Sequence, residues 1–518
     1  MVIEYIVLAI YALLMIGIAV YTHNRSKSVN DFLLAGKRGL NGWMSAFSYG
    51  TTYFSAVVFI GYAGKFGKEY GLAAVWIGVA NAIFGALVAW LVLAKRTKNM
   101  TARLGAKTMP EFFEKRYGSK NIKLVSAIVI FLFLIPYSAS VYNGLSSLFA
   151  IVFGIPGWVV MVLLAVLTAV YLFFGGYFAT ALSDFVQGII MLFGVVFMVI
   201  VFMNHNNVSW DLSALANDVN KTWFTFKSDN IGLYGSTVSL ISLILLTSFG
   251  VWGLPQTIHK YYAIRDKKAI TQGVIVSTIF ALIIGFGAYF VGALAGFFPE
   301  YISDTTPSDQ IIPILLSKII PSGFMGVIVV LILSASMSTL ASVSLASASV
   351  VAVDIYKGRI NTGASDKRVN VVMRSLCLVF ILVSVVIAII NERFNVTAIA
   401  YMMGISWGTL SGCFIGPFVL GLLWKRVTKN AVWASIISSL SLTAILIVFF
   451  GYHQNYINGV ECSFGNVLKT GVGCSPMIGV ICMIFSIVIT VVVSLLTKAP
   501  SDEILHESFE KPIENEIK

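Results

Sequence analysis

Sixteen residues, SASMSTLASVSLASAS (334–349), carry eight hydroxyl side chains and no charge. On a helix, positions three and four apart share a face, which aligns Ala335, Ser338, Thr339 and Ser342. A stripe of neutral oxygens can bind a hard cation such as sodium, since hard cations take oxygen donors. It can also release the ion on every cycle. The same residue types suit close helix packing in membranes and can bond the carbonyl one turn back. For any single serine in the run, packing is the better explanation. A second polar group stands apart in GGYFATALSDFVQ (175–187). Asp184 lies eight residues past Gly176, roughly 12 Å along a helix. At that depth it must face a polar cavity, a partner or a cation, because ionisable groups inside spans are costly and default to functional sites. A carboxylate hydrogen-bonded to a neighbouring helix is an equally good explanation.

The elements that position these groups follow from composition. The chain has 518 residues, 58% hydrophobic and 11% charged, against roughly 25% charged in a soluble domain. This is an all-α integral membrane protein. Its net charge of +12 is spread over short loops and forms no nucleic-acid patch. A span needs about 20 apolar residues, which predicts thirteen helices at 3–22, 41–65, 72–94, 122–153, 157–174, 178–204, 236–256, 271–298, 322–353, 370–390, 396–424, 430–451 and 475–497. The first is a span, not a signal peptide: its apolar run is too long and Glu4 replaces the usual basic start. Alternate loops divide the Lys and Arg residues 24 to 7. Basic residues stay on the cytoplasmic side, so the N-terminus is expected outside and the C-terminus inside a plasma-membrane protein. Residues 1–498 read as one transmembrane domain. Residues 499–518 read as a short polar cytoplasmic tail without fixed structure. Cys462 and Cys474 share an outer loop where a disulfide is plausible.

Two spans look interrupted. NGWMSAFSYGTTYFSAVVFIGYAGK (41–65) mixes glycines and hydroxyls, and STVSLISLILLTSFGVWGLPQ (236–256) ends in Gly250, Gly253 and Pro255. Broken helices at matching positions of two halves mark the binding site of a secondary transporter. Helices 2–6 and 7–11 would then be two five-helix repeats, about 41–204 and 236–424. One extra helix precedes them and two follow.

Five stretches in order resemble the sodium:solute symporter family, which has the LeuT-type inverted-repeat fold: DFLLAGKRGLNGW (31–43), FSAVVFIGYAGKFGKEYG (54–71), GGYFATALSDFVQ (175–187), WGLPQTIHKYYAIRD (252–266) and GCFIGPFVLGLLWKRVT (412–428). The resemblance covers most of the chain. It implies a sodium site made by the carbonyls of Thr51, Phe54 and Ala335 and the hydroxyls of Ser338 and Thr339. It also implies a second site in some members, matched here by Asp184, Ser338 and Ser342, although Ala341 stands where that pattern has a further serine. A substrate site would lie near Ser55, Ala56, Tyr137, Ser248 and Trp252. The amide and acidic groups of sugar-transporting members are missing, with Val58 at one such position. The GLPQ element is closer to proline-type and small-carboxylate members. The expected activity is alternating-access import of an amino acid such as proline, or of a small carboxylate, coupled to sodium. The expected partners are solute, sodium and the lipid bilayer, with no other cofactor and a functional monomer. The alternatives are a symporter for a sugar, sialic acid or vitamin, a proton-coupled carrier with the proton on Asp184, a non-transporting sensor, or a channel. An enzyme is not expected: the spans contain no His pair, no acid pair and no nucleophile beside a base.

Overall fold

The computed structural model describes residues 2–22, 28–34, 39–213, 236–303, 305–394 and 396–512. It is all-helical. Among the described residues, eleven helices are long and apolar enough to cross a membrane. Two of them, Val57–Leu104 and Gly157–Asn204, run for 48 residues. A straight helix of that length would measure about 72 Å, more than twice the ~30 Å hydrocarbon core. Each is interrupted at a glycine with left-handed φ: Gly71 (φ 56°, ψ −136°) and Gly176 (φ 63°, ψ −162°). Only glycine takes these angles without strain.

The helices that build the site are α1 (Val2–Thr22), α2 (Gly42–Tyr53), α3 (Ala63–Tyr70), α4 (Lys120–Phe153), α5 (Gly157–Asn204), α6 (Ser236–Phe249), α7 (Pro255–Tyr262), α8 (Lys267–Ala293), α9 (Met325–Ser349), α10 (Asp366–Phe394) and α11 (Ile399–Ile415). Helices α12 (Lys429–Ile457) and α13 (Ser475–Leu496) close the bundle. Burial ranks them. In the span that contains α9, 94% of the apolar window is buried, against 28% for α1. The serine-rich helix is therefore the axle of the molecule, and α1 faces lipid.

Both interrupted spans are broken as their sequences predict. The helix α2 starts on Asn41, whose side chain caps the Met44 amide. It stops at Phe54, which is extended (φ −101°, ψ 102°). A π-helical turn, Val57–Tyr62, then leads into α3. The second break runs from Gly250 to Leu254, after which Pro255 opens α7 at a position where its missing amide costs nothing. The N-terminal end of the first broken span and the C-terminal end of the second are clasped by an isolated parallel bridge. Leu40 donates to Ala263 O at 2.8 Å and Leu40 O accepts from Arg265 at 3.2 Å.

Three expectations change. The span predicted at 236–256 continues six residues further, to Tyr262. The tail is ordered through residue 510: Asp502–Leu505 and His506–Glu510 are helical, Phe509 lies 5.0 Å from the Arg116 guanidinium, and Glu510 pairs with Lys425. Cys462 and Cys474 are free thiols. The ten-residue helix Phe464–Gly473 separates them by about 15 Å, beyond the ~7 Å that a disulfide spans between Cα atoms.

Close backbone contact fixes the core geometry. A Cβ on Gly292 of α8 would fall 2.1 Å from Ala63 O, and one on Gly67 of α3 would fall 2.2 Å from Gly292 C. Small residues permit such approach. Gly292→Leu is expected to cost about 3 kcal/mol, read as a lower melting point of the purified protein; an unchanged midpoint would mean that α3 and α8 separate easily.

Candidate functional site

The break after α2 releases carbonyls that a continuous helix would satisfy. Thr51 O would have accepted from Ser55, but Ser55 lies outside the helix. It accepts hydroxyls from α9 instead: Ser338 Oγ at 3.2 Å and Thr339 Oγ1 at 3.3 Å. Ser338 Oγ also lies 3.2 Å from Ala335 O and 2.9 Å from Ser334 O. Phe54 ends the same helix as its C-terminal cap. Ligands at 2.3–2.6 Å from a common cation and at right angles to one another are about 3.2–3.7 Å apart. Three spacings here, Ser338 Oγ to Thr51 O, Thr339 Oγ1 to Thr51 O and Ser338 Oγ to Ala335 O, are 3.2, 3.3 and 3.2 Å and fall in that range.

One turn later on α9 and one turn earlier on α2 lies a second polar cluster. Asp184 on α5 and Ser342 on α9 meet there, whereas Ser338 lies in the first cluster. The centre is Lys260 of α7, only 1% exposed. Its ammonium donates to Ser342 Oγ at 2.8 Å and Ser48 Oγ at 2.9 Å, and stands 3.4 Å from Asp184 Oδ2. It also lies 5.2 Å from the Tyr177 ring. Ser48 Oγ donates to Asp184 Oδ2 at 2.5 Å, and Thr52 Oγ1 is 2.9 Å from Ser342 Oγ. The span predicted at 236–256 leaves Lys260 in the loop that follows it, among the cations counted as cytoplasmic. Its signal was position: five residues after Pro255, on the same short helix.

A third group lies beside the first cluster. The Tyr137 hydroxyl of α4 faces Ser55, Thr339 and Trp407 without completing a hydrogen bond, and Trp407 Nε1 is also buried and unpaired. Their rings meet edge to face at 5.8 Å, and Tyr53 packs 5.9 Å from Trp407 on another side. Ala56 is buried where Gly144 of α4 passes the break, 3.5 Å from a Cβ built there. Ser48, Trp407 and Asn81 were missed from sequence. Trp407 sits in an apolar run that reads as core, and Asn81 is a lone polar residue whose Oδ1 lies 3.1 Å from Ser248 Oγ. Trp252 does not join the Tyr137 group: its indole donates to Phe84 O at 3.0 Å and packs on Phe249 at 5.7 Å. Its place after Gly250–Val251 in the second break turns it outward.

Outside the spans, Asp309 covers the start of α11. It accepts the Ile399 amide at 3.1 Å, and burial pushes its carboxyl up to about 6 against the pull of that amide and of Lys65. Lys65 itself lies 4.7 Å from the Tyr401 ring.

Two broken helices crossing a buried oxygen cluster, with unpaired polar groups alongside, define a secondary carrier. Residues 32–438 match the sodium:solute symporter family, and the chain belongs to that family. It is a sodium-coupled symporter of a membrane, not an enzyme. The sodium/pantothenate symporter of Haemophilus influenzae is 28% identical over 462 residues, covering 86% of this chain and 92% of that protein. The osmoregulated proline transporter OpuE of Bacillus subtilis is 28% identical over 505 residues, covering 95% of each. A sodium/proline symporter of Staphylococcus aureus is 27% identical over 513 residues, covering 96% of this chain and 93% of that protein. A solved Na+-coupled sialic acid symporter has the same fold, with a TM-score of 0.77 at 19% identity, covering 96% of this chain and 98% of that one.

Proposed function

We propose that this symporter imports a small carboxylate-bearing solute, an amino acid such as proline or a small organic acid, by alternating access. The observation that carries the reading is the Tyr137 hydroxyl, unpaired and turned toward Thr339. Thr339 belongs to the oxygen cluster assigned to sodium, with Thr51, Phe54, Ala335 and Ser338. Ser55, Ala56, Tyr137 and Trp407 form the solute side, with Ser248 and Asn81 nearby. Sodium from outside would tie the broken α2 to α9 and order the Tyr137 group; solute binding then permits inward opening. Relatives named for proline and pantothenate support a carboxylate-bearing substrate. A carrier with the proton on Asp184 is disfavoured by the Lys260 ammonium beside that carboxylate.

The architecture that suits this cycle is thirteen crossings, counting the two long spans as broken at Gly71 and Gly176. Helices 2–6 and 7–11 form the inverted repeats, the N-terminus is outside and the tail is cytoplasmic. With Lys260 inside the span that ends at Tyr262, alternate loops still divide the basic residues 23 to 7, which supports that orientation in the plasma membrane. One polypeptide contains the whole pathway, so a monomer suffices. One sodium moving through 100 mV supplies about 2.3 kcal/mol, enough for roughly 50-fold accumulation.

A thermal-shift screen of the purified protein in sodium and in choline, against amino acids, carboxylates, vitamins and sugars, tests the reading. A saturating carboxylate solute at 100 times its Kd should add about 2.7 kcal/mol, and only in sodium. A response confined to sugars, or equal in choline, would overturn it.

A further inference from the structure

We infer that the Lys260 ammonium is a built-in replacement for a second sodium ion, so that the symporter binds one sodium per cycle. The inference rests on the sodium-coupled reading above. A carboxylate on α5 and hydroxyls on α2 and α9 converge on one point, the constellation that would hold a second monovalent cation. That point is taken by a cation covalently attached to α7. The three N–H bonds of an ammonium are all directed at this cluster: Ser342 Oγ at 2.8 Å, Ser48 Oγ at 2.9 Å and Asp184 Oδ2 at 3.4 Å.

The hydrogen-bond directions close consistently. Ser48 accepts from Lys260 and donates to Asp184. Ser342 accepts from Lys260, which leaves its proton for Thr52 Oγ1, and Thr52 donates to Ser48 O at 2.7 Å. A sodium ion could not enter without displacing the ammonium, because both would need the same oxygens. The ammonium also connects four helices, α2, α5, α7 and α9, that include the inner halves of both broken spans. Unlike a bound ion, it stays with the protein when the inner side opens. It can therefore neutralise Asp184 through the cycle without carrying charge across the membrane. Coupling is left to the cluster at Thr51, Ala335, Ser338 and Thr339.

The test is the equilibrium binding of sodium-22 to the purified full chain. The wild type should bind one ion. Lys260→Ala should bind two, the second lost again in Lys260→Ala with Asp184→Asn. Lys260→Gln, which preserves most of the side-chain volume, should likewise gain an ion and serves if the alanine variant does not fold. Two ions bound by the wild type would overturn the inference whatever the variants do. A folded Lys260→Ala or Lys260→Gln protein that binds only one would overturn it as well. A wild type that binds no sodium would instead overturn the coupling reading on which the inference rests.

Discussion

Replacing Ser338 and Thr339 together with alanine is expected to weaken sodium binding by about two to four orders of magnitude. Each hydroxyl in contact with a charged partner contributes roughly 1.5–3 kcal/mol, and tenfold in affinity corresponds to about 1.4 kcal/mol. Both hydroxyl oxygens lie close to the Thr51 carbonyl, at 3.2 and 3.3 Å, so one ion would lose two ligands from α9 while keeping those of α2. Sodium-dependent uptake should fall with it. Ser347→Ala is the control. Ser347 lies on the same helix, buried, with its hydroxyl unpaired, and its loss should leave sodium affinity within about twofold, as expected of a site without direct contact. A sodium titration of thermal stability distinguishes the two outcomes. Unchanged affinity in the double variant would sink the site.

Removing the Lys260 ammonium should have the second large effect, on stability. Lys260→Met leaves Asp184 buried at 0% exposure, with Oδ1 already unpaired. Breaking a buried pair from one side costs about 3–5 kcal/mol, whereas replacing both partners with apolar groups is often neutral. In sodium-free buffer Lys260→Met should therefore melt well below the wild type, and Lys260→Met with Asp184→Leu should recover most of the loss. Equal destabilisation of single and double variants would mean that the cost lies in packing of α7 and not in the stranded charge.

The sequence by itself determined the class, most of the apolar stretches and the shared face of Ala335, Ser338 and Thr339. A chain so poor in charge has no folded alternative to the bilayer. Ala335, Ser338 and Thr339 are local on one helix, so their shared face follows from the 3.6-residue repeat. Their partner Thr51 comes from the resemblance, and the breaks at Phe54 and Pro255 were visible as glycines, hydroxyls and a proline. What only the tertiary structure decided depends on contacts between distant segments. Lys260 is one of several cations in HKYYAIRDKK, and although its place on the short helix after Pro255 sets it apart from Arg265 and Lys267, that place does not show which segments it meets. Burial of α7 against α2, α5 and α9 turns it into the fourth member of a four-helix polar cluster. Trp407 looked like core until its ring met Tyr137, and Trp252 looked like a solute contact until the 3-10 turn before Pro255 aimed it at Phe84. The eight hydroxyls of 334–349 are likewise sorted by what crosses α9. Ser338 and Thr339 meet a released carbonyl, Ser342 meets an ammonium, and Ser334, Ser344 and Ser347 lie buried with unpaired hydroxyls.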